Sequence, residues 1–325
     1  MPQKKFRVVL TKKLPTAGLE SLLTNKSMHI VGGMNAFSPS RARLKKMVQG
    51  ADAILSQLTE KIDGEIMDAA GPGLKIIANY AAGFDNIDIA AAKKRGIIVT
   101  NTPGGVSTAV AEHAWVLALG CAKRIVESDA YMRAGKYKQW TPGQMLGLEL
   151  SGKILGVIGL GRIGQMIATI GNGGFRMPVL YVDRSRNVAF EKKYSAKKVT
   201  LTTLIKKADV IIIAVPLLPS THHLIGAKEL ASMKSTAILV NIARGPIINE
   251  KALLATLKKK RIAAAGLDVF ENEPHMTPGL AKLKNIIVTP HTGSATMRAR
   301  RTMGEQAAQN ILCALKNKAV PARIC

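Results

Sequence analysis

Cysteines, aromatic residues, acidic residues and long apolar runs are all scarce in this chain of 325 residues. The three cysteines, Cys121, Cys313 and Cys325, are too few and too dispersed for a disulfide framework or a cysteine metal centre, so reduced thiols are expected. No stretch approaches the roughly 18 apolar residues of a membrane span. The strongest run, VIIIAVPLL, is interrupted by Pro216 and reads as a buried strand. The opening MPQKKFRVVL carries basic residues, but polar TKK follows at once and leaves no apolar core for a leader. A cytoplasmic protein without a membrane partner is the expectation.

Acidic residues number 21 against 47 lysines and arginines, a formal net charge of +26. Such an excess suggests a polyanionic partner first. Its distribution argues against nucleic acid: the lysines fall in scattered pairs (Lys12-Lys13, Lys45-Lys46, Lys192-Lys193, Lys197-Lys198, Lys206-Lys207), and aromatic residues make up only 4%. The densest cluster, Lys258 to Arg261, ends a helical pattern, where cations favour the helix dipole. The charge reads first as a solvated basic surface, and second as a field that steers an anionic substrate and cofactor.

What the chain does have is alternation. Short β-rich runs (RVVLT, HIVGG, DAILS, KIIANY, GIIVTN) are separated by helical patterns, and five such strands fit a flavodoxin-like unit. A second series runs through KILGVIG, VLYVD, DVIIIAV, AILVNIA, AAGLDVF and NIIVTP. Between them, Ser107 to about Lys136 repeats apolar residues at Val110, Ala114, Leu117 and Cys121, which predicts one long helix. Trp115, Val116 and Leu119 make its other faces apolar, so it is expected to pack on its own domain and on a second subunit.

Within the second series, GKILGVIGLGRIGQMIA places Gly159, Gly161 and Gly164 as G-x-G-x-x-G between a strand and a helix. The first glycine permits the turn, the second lets a pyrophosphate approach, and the third allows close packing of helix on strand. Arg162 and Ile163 open the helix, whose free N–H groups suit phosphate. The next strand ends at Asp183, where a carboxylate would bind a ribose 2′-hydroxyl and favour NAD; Arg184 and Arg186 could reverse that choice toward NADP. GNGGFRMP, just before that strand, predicts a loosened connection.

Hydride transfer to a keto acid also requires a cation for the carboxylate and an acid for the developing alkoxide. Arg244, Glu273 and His291 each follow a predicted strand of the nucleotide series, at the end where the crevice of such sheets lies. An adjacent carboxylate favours the charged form of an imidazole, and a guanidinium fork matches a carboxylate in two bonds. His113 reads as a packing or surface residue. His222 and His223 lack partners at metal spacing, so no metal site is expected.

The motifs NYAAGFDNID, TNTPGG, GLGRIGQ, NIARGPIIN, GLDVFENEP and TPHTGSAT, in this order, closely resemble the D-isomer-specific 2-hydroxyacid dehydrogenases, particularly the glyoxylate and hydroxypyruvate reductase branch. The resemblance implies two doubly wound parallel-sheet α/β domains: a flavodoxin-like substrate domain (1–102 with 292–325) and an inserted Rossmann NAD(P)-binding domain (103–291). It implies a homodimer that reduces a small anionic 2-oxo acid. In catalysis His291 would donate the proton, Glu273 would tune it and Arg244 would orient the substrate. It further implies that Ala82 and Gly83 bind the substrate carboxylate through N–H groups and that Leu58 lines the site. Pro216, Thr221, the Ile242 carbonyl and Asp268 would contact the cofactor. Trp140 either reaches a partner subunit or packs in its own. Two other readings stay open, a 3-phosphoglycerate dehydrogenase and a non-catalytic NAD-sensing interaction protein.

Overall fold

The computed structural model describes residues 5–325; residues 1–4, which begin the segment read for a leader, lie outside the described residues. The chain divides into two compact units, Met1–Val106 with Ala295–Cys325, and Ser107–Ser294.

The first unit runs β1 (Phe6–Leu10), α1 (Glu20–Leu23), β2 (Met28–Gly32), α2 (Arg41–Val48), β3 (Ala53–Ser56), α3 (Gly64–Ala70), β4 (Ile76–Asn79), α4 (Ile89–Lys94) and β5 (Ile98–Thr100). Its strands pair in parallel in the order β2-β1-β3-β4-β5, the flavodoxin-like arrangement. β3 and β4 are buried along their whole length, which is why they read as continuous rather than alternating apolar runs. Ser40, Asp63 and Asp88 start α2, α3 and α4 by accepting the N–H three residues on, which defines where each strand-to-helix loop ends.

The second unit begins with α5 (Ser107–Lys123) and α6 (Ile125–Arg133). It continues through β6 (Leu155–Ile158), α7 (Arg162–Phe175), β7 (Val179–Val182), α8 (Val188–Tyr194), β8 (Lys197–Lys198), α9 (Leu201–Lys207) and β9 (Val210–Ile213). It ends with α10 (Ala227–Ala231), β10 (Ile238–Asn241), α11 (Glu250–Lys258), β11 (Ala264–Leu267) and β12 (Ile286–Val288). The seven strands form a parallel sheet in the order β12-β11-β10-β9-β6-β7-β8, doubly wound about the β6/β9 switch point. α12 (Met297–Leu315) returns the chain to the first unit and packs against β4.

Two expectations need correction, and one strand has no counterpart in the sequence reading. The helix predicted from Ser107 to about Lys136 is two helices, broken at Arg124, which is left-handed (φ 54°) and binds Glu127 and the Leu146 carbonyl. The glycines of GNGGF do not loosen a connection, because α7 continues through them to Phe175 and only Arg176–Pro178 separate it from β7. Phe175 stacks on Trp115 at 5.0 Å, and Trp115 donates to the Ile167 carbonyl, so the end of α7 is anchored on α5. Finally, β8 was not foreseen: two exposed lysines at a sheet edge carry no apolar pattern.

α5 lies directly on the sheet. A Cβ added at Gly266 would come within 2.8 Å of the Leu117 Cβ, and one at Gly120 within 2.8 Å of the Ile287 Cδ1. This close approach brings the α5 side chains up to the ends of β11 and β12.

Candidate active site and nucleotide turn

The turn after β6 requires its glycines for separate reasons. Gly159 has φ 96°, and a Cβ there would also strike the Ala214 carbonyl oxygen at 2.7 Å. A Cβ at Gly164 would lie 1.9 Å from the Gly159 oxygen, so that position sets how closely α7 can pack on the turn. Gly161 meets nothing within 4 Å, and α7 starts beside it with no side-chain cap. An open glycine at an uncapped N-terminus of a 14-residue helix, with Arg162 and Ile163 in its first turn, fits a dinucleotide pyrophosphate.

Asp183 closes the turn from the end of β7, its Oδ2 accepting the Leu160 N–H at 2.7 Å; its Oδ1 has no partner among the described residues. Of the two arginines that follow, Arg186 is engaged by Glu191 at 2.7 Å, whereas the Arg184 side chain is exposed. The Thr221 hydroxyl donates to the Pro216 carbonyl and accepts the Leu218 N–H, folding the loop after β9.

Arg244, Glu273 and His291 all follow carboxyl ends of strands in this unit, after β10, β11 and β12. Buried Asn241 folds the first loop, donating to the Arg244 carbonyl (2.9 Å) and accepting the Ala243 N–H (3.0 Å). Ile242 is buried within that turn. Gly245 then lies so close to the backbone of Phe270 and Glu271 that a Cβ would overlap it, which joins the Arg244 loop to the Glu273 loop. Buried Glu250 holds the same loop by accepting the N–H groups of Glu271 and Thr277.

Glu273 Oε2 is 2.9 Å from His291 Nδ1, and Glu273 Oε1 accepts the Phe270 N–H at 3.0 Å. Burial works against the Glu273 charge. The hydrogen bond and charge of His291, the Phe270 N–H and the Arg244 charge outweigh it and hold the carboxyl below its ordinary range. His291 itself is left-handed (φ 54°), and its N–H points to the carbonyls of Asp268 (2.9 Å) and Thr289 (3.0 Å).

Asp268, only 2% exposed, is heavily engaged. Its Oδ1 accepts the Thr289 hydroxyl (2.6 Å) and the Thr292 N–H (2.7 Å), and its Oδ2 accepts the Gly293 N–H (2.8 Å). Gly293 leaves room for this bond, since an added Cβ would lie 2.9 Å from Asp268 Oδ2 and force a shift. His113 Nε2 stands 2.9 Å from Thr289 Oγ1 and 3.3 Å from Asp268 Oδ1. From sequence His113 reads as a packing or surface residue, and nothing in VAEHAWVL marks its partners 155 or more residues away. His223, paired with Glu271 at 2.7 Å, and Asn241 were likewise not foreseen in the site. Among the described residues no group of three or more His, Cys, Asp or Glu side chains is placed to hold a metal ion.

In the first unit, the carbonyls of Ala82 and Gly83 accept from Asn101 (2.6 Å) and Asn79 (2.8 Å). With their carbonyls turned inward, their N–H groups have no partner among the described residues, an arrangement that suits a carboxylate. Asn86 donates to the carbonyls of Gln57 and Glu60, bracketing Leu58.

The model of the D-isomer specific 2-hydroxyacid dehydrogenase NAD binding domain matches residues 115–293. The glyoxylate reductase of Thermococcus gammatolerans is 44% identical over 98% of this chain and 95% of its own length. The crystal structure of the TT0316 protein from Thermus thermophilus superposes with a TM-score of 0.92 at 38% identity, covering 98% of this chain and all of that one. The NADPH-dependent glyoxylate/hydroxypyruvate reductase of Sinorhizobium meliloti, solved with NADP and malonate, reaches 0.85 at 28% identity over 99% of this chain and 97% of its own.

Proposed function

The chain belongs to the D-isomer-specific 2-hydroxyacid dehydrogenase family, in its glyoxylate reductase branch, and we propose that it reduces a small 2-oxo acid, glyoxylate or hydroxypyruvate, to the 2-hydroxy acid. A bound reduced nicotinamide dinucleotide supplies the hydride. The observation that carries the reading is the 2.9 Å pair of Glu273 and His291, with the Arg244 charge acting on the same carboxyl, at the strand ends of a sheet with an open glycine turn.

In this reading His291, oriented by Glu273, gives its proton to the carbonyl oxygen as negative charge develops there. Arg244 holds the substrate carboxylate and polarises the carbonyl. The N–H groups of Ala82 and Gly83 bind the carboxylate, and Leu58 lines the space for the substrate's side chain. Pro216, Thr221, the Ile242 carbonyl and Asp268 contact the cofactor. NAD is the preferred form: the free Asp183 oxygen suits a ribose hydroxyl, and Arg186 is held by Glu191.

The working form is a homodimer. Val116, Ile125, Val126, Met132, Trp140 and Leu146 are 55–74% exposed along one stretch of the second unit, and Trp140, at 74%, is not packed in its own core. Exposed apolar side chains in this number are what an association surface would supply. Sedimentation at micromolar concentration reads the mass, and a monomer would refute the dimer.

Oxidation of NADH and of NADPH, followed by absorbance with glyoxylate, hydroxypyruvate, pyruvate and phosphohydroxypyruvate, tests the activity. Turnover of the first two that is abolished in His291→Ala supports the reading. Cofactor binding with no turnover of any substrate refutes it and favours a sensing protein.

A further inference from the structure

The Thr289 hydroxyl has a single proton, and its 2.6 Å contact with Asp268 Oδ1 directs that proton to the carboxylate, which accepts only. Thr289 Oγ1 can therefore only accept from His113, so His113 Nε2 carries a proton. That N–H also approaches Asp268 Oδ1 at 3.3 Å. Thr289, Thr292 and Gly293 all donate to this one carboxylate, so the segment is held on both sides of His291. This holding offsets the cost of the left-handed backbone at His291 (φ 54°), a conformation disfavoured for a residue with a Cβ. The one element of the cluster outside these strand-end loops is α5, through His113.

From this geometry we infer that His113 is a positioning residue for His291: by donating to Thr289 and Asp268 it fixes the loop that presents the imidazole. The inference rests on the reading of His291 as proton donor. A histidine that only filled space would need no donor at this point, whereas one that positions the loop must supply it.

The test compares His113→Leu, which removes the donor, with His113→Gln, whose amide nitrogen reaches about as far as the imidazole Nε2. His113→Leu is expected to lower kcat about tenfold, the scale of one hydrogen bond to a charged group. Amide hydrogen exchange in the segment carrying Thr292 and Gly293 is expected to accelerate in the same variant. His113→Gln is expected to restore most of both. Wild-type kcat and exchange in His113→Leu, or equal impairment in the two variants, would overturn the inference. If the parent protein turns over no 2-oxo acid, the reductase reading fails by itself. The exchange comparison then still decides whether His113 holds the loop.

Discussion

Glu273 Oε2 accepts the Nδ1–H of His291 at 2.9 Å, which leaves Nε2 as the ring nitrogen for chemistry. Substituting His291→Ala is expected to lower kcat by about 10²–10⁴, the usual worth of a positioned general acid. Glu273→Gln keeps the shape but not the charge, and its loss should be smaller. Because the two residues act as one unit, the double variant should be hardly worse than His291→Ala alone. Steady-state kinetics on the four proteins check this; additive losses would mean that Glu273 acts independently.

A second expectation concerns acid. Burial disfavours the Asp268 charge, but bonds from His113, Thr289, Thr292 and Gly293 hold the carboxyl below its ordinary 3.8. A carboxyl lowered in the native state contributes stability above its unfolded value and loses it as the pH falls through the lower native one. Thermal unfolding from about pH 6 down to about pH 2 should show a decline that steepens below about 4. Asp268→Asn should start less stable and decline more shallowly; an identical slope would show that other carboxyls dominate.

Much of this was legible in the sequence because the relevant signals are local. Most of the main strands are short apolar runs bounded by turns, and the glycines of the nucleotide turn sit at fixed offsets. Arg244, Glu273 and His291 each fall just after such a run. What escaped was set by contacts between distant segments. The break at Arg124 depends on Glu127 and on the Leu146 carbonyl, and the continuation of α7 through its glycines depends on Trp115 lying beneath Gly171 and Phe175. His113 looks like an ordinary helix residue until the fold brings Asp268 and Thr289 to it.

Cofactor choice offers a third test. Asp183 serves both the turn, through the Leu160 N–H, and on our reading the ribose. Asp183→Ala should therefore weaken NADH binding by about tenfold and narrow the preference over NADPH. Glu191→Gln should release Arg186, now held at 2.7 Å, and improve NADPH binding. Fluorescence titration of both cofactors measures this. A parent protein that prefers NADPH would point instead to Arg184 as the deciding group.

The glycines of α7 make the last prediction, because the same residue type faces opposite surroundings within four positions. At Gly171 an added Cβ would lie 2.7 Å from both Leu155 Cδ2 and Trp115 Cζ2, in a packed layer between helix and sheet. Gly171→Ala should destabilise the protein by about 1–3 kcal/mol, the cost of overpacking a core. At Gly173 and Gly174 a Cβ meets nothing within 4 Å, and neither residue has a positive φ. There alanine only removes the entropy that glycine loses in a helix, so each substitution should stabilise by about 0.5–1 kcal/mol. Denaturant unfolding of the three single variants reads both signs. Stabilisation at 171, or loss at 173 and 174, would mean that α7 does not run as a helix through GNGGF.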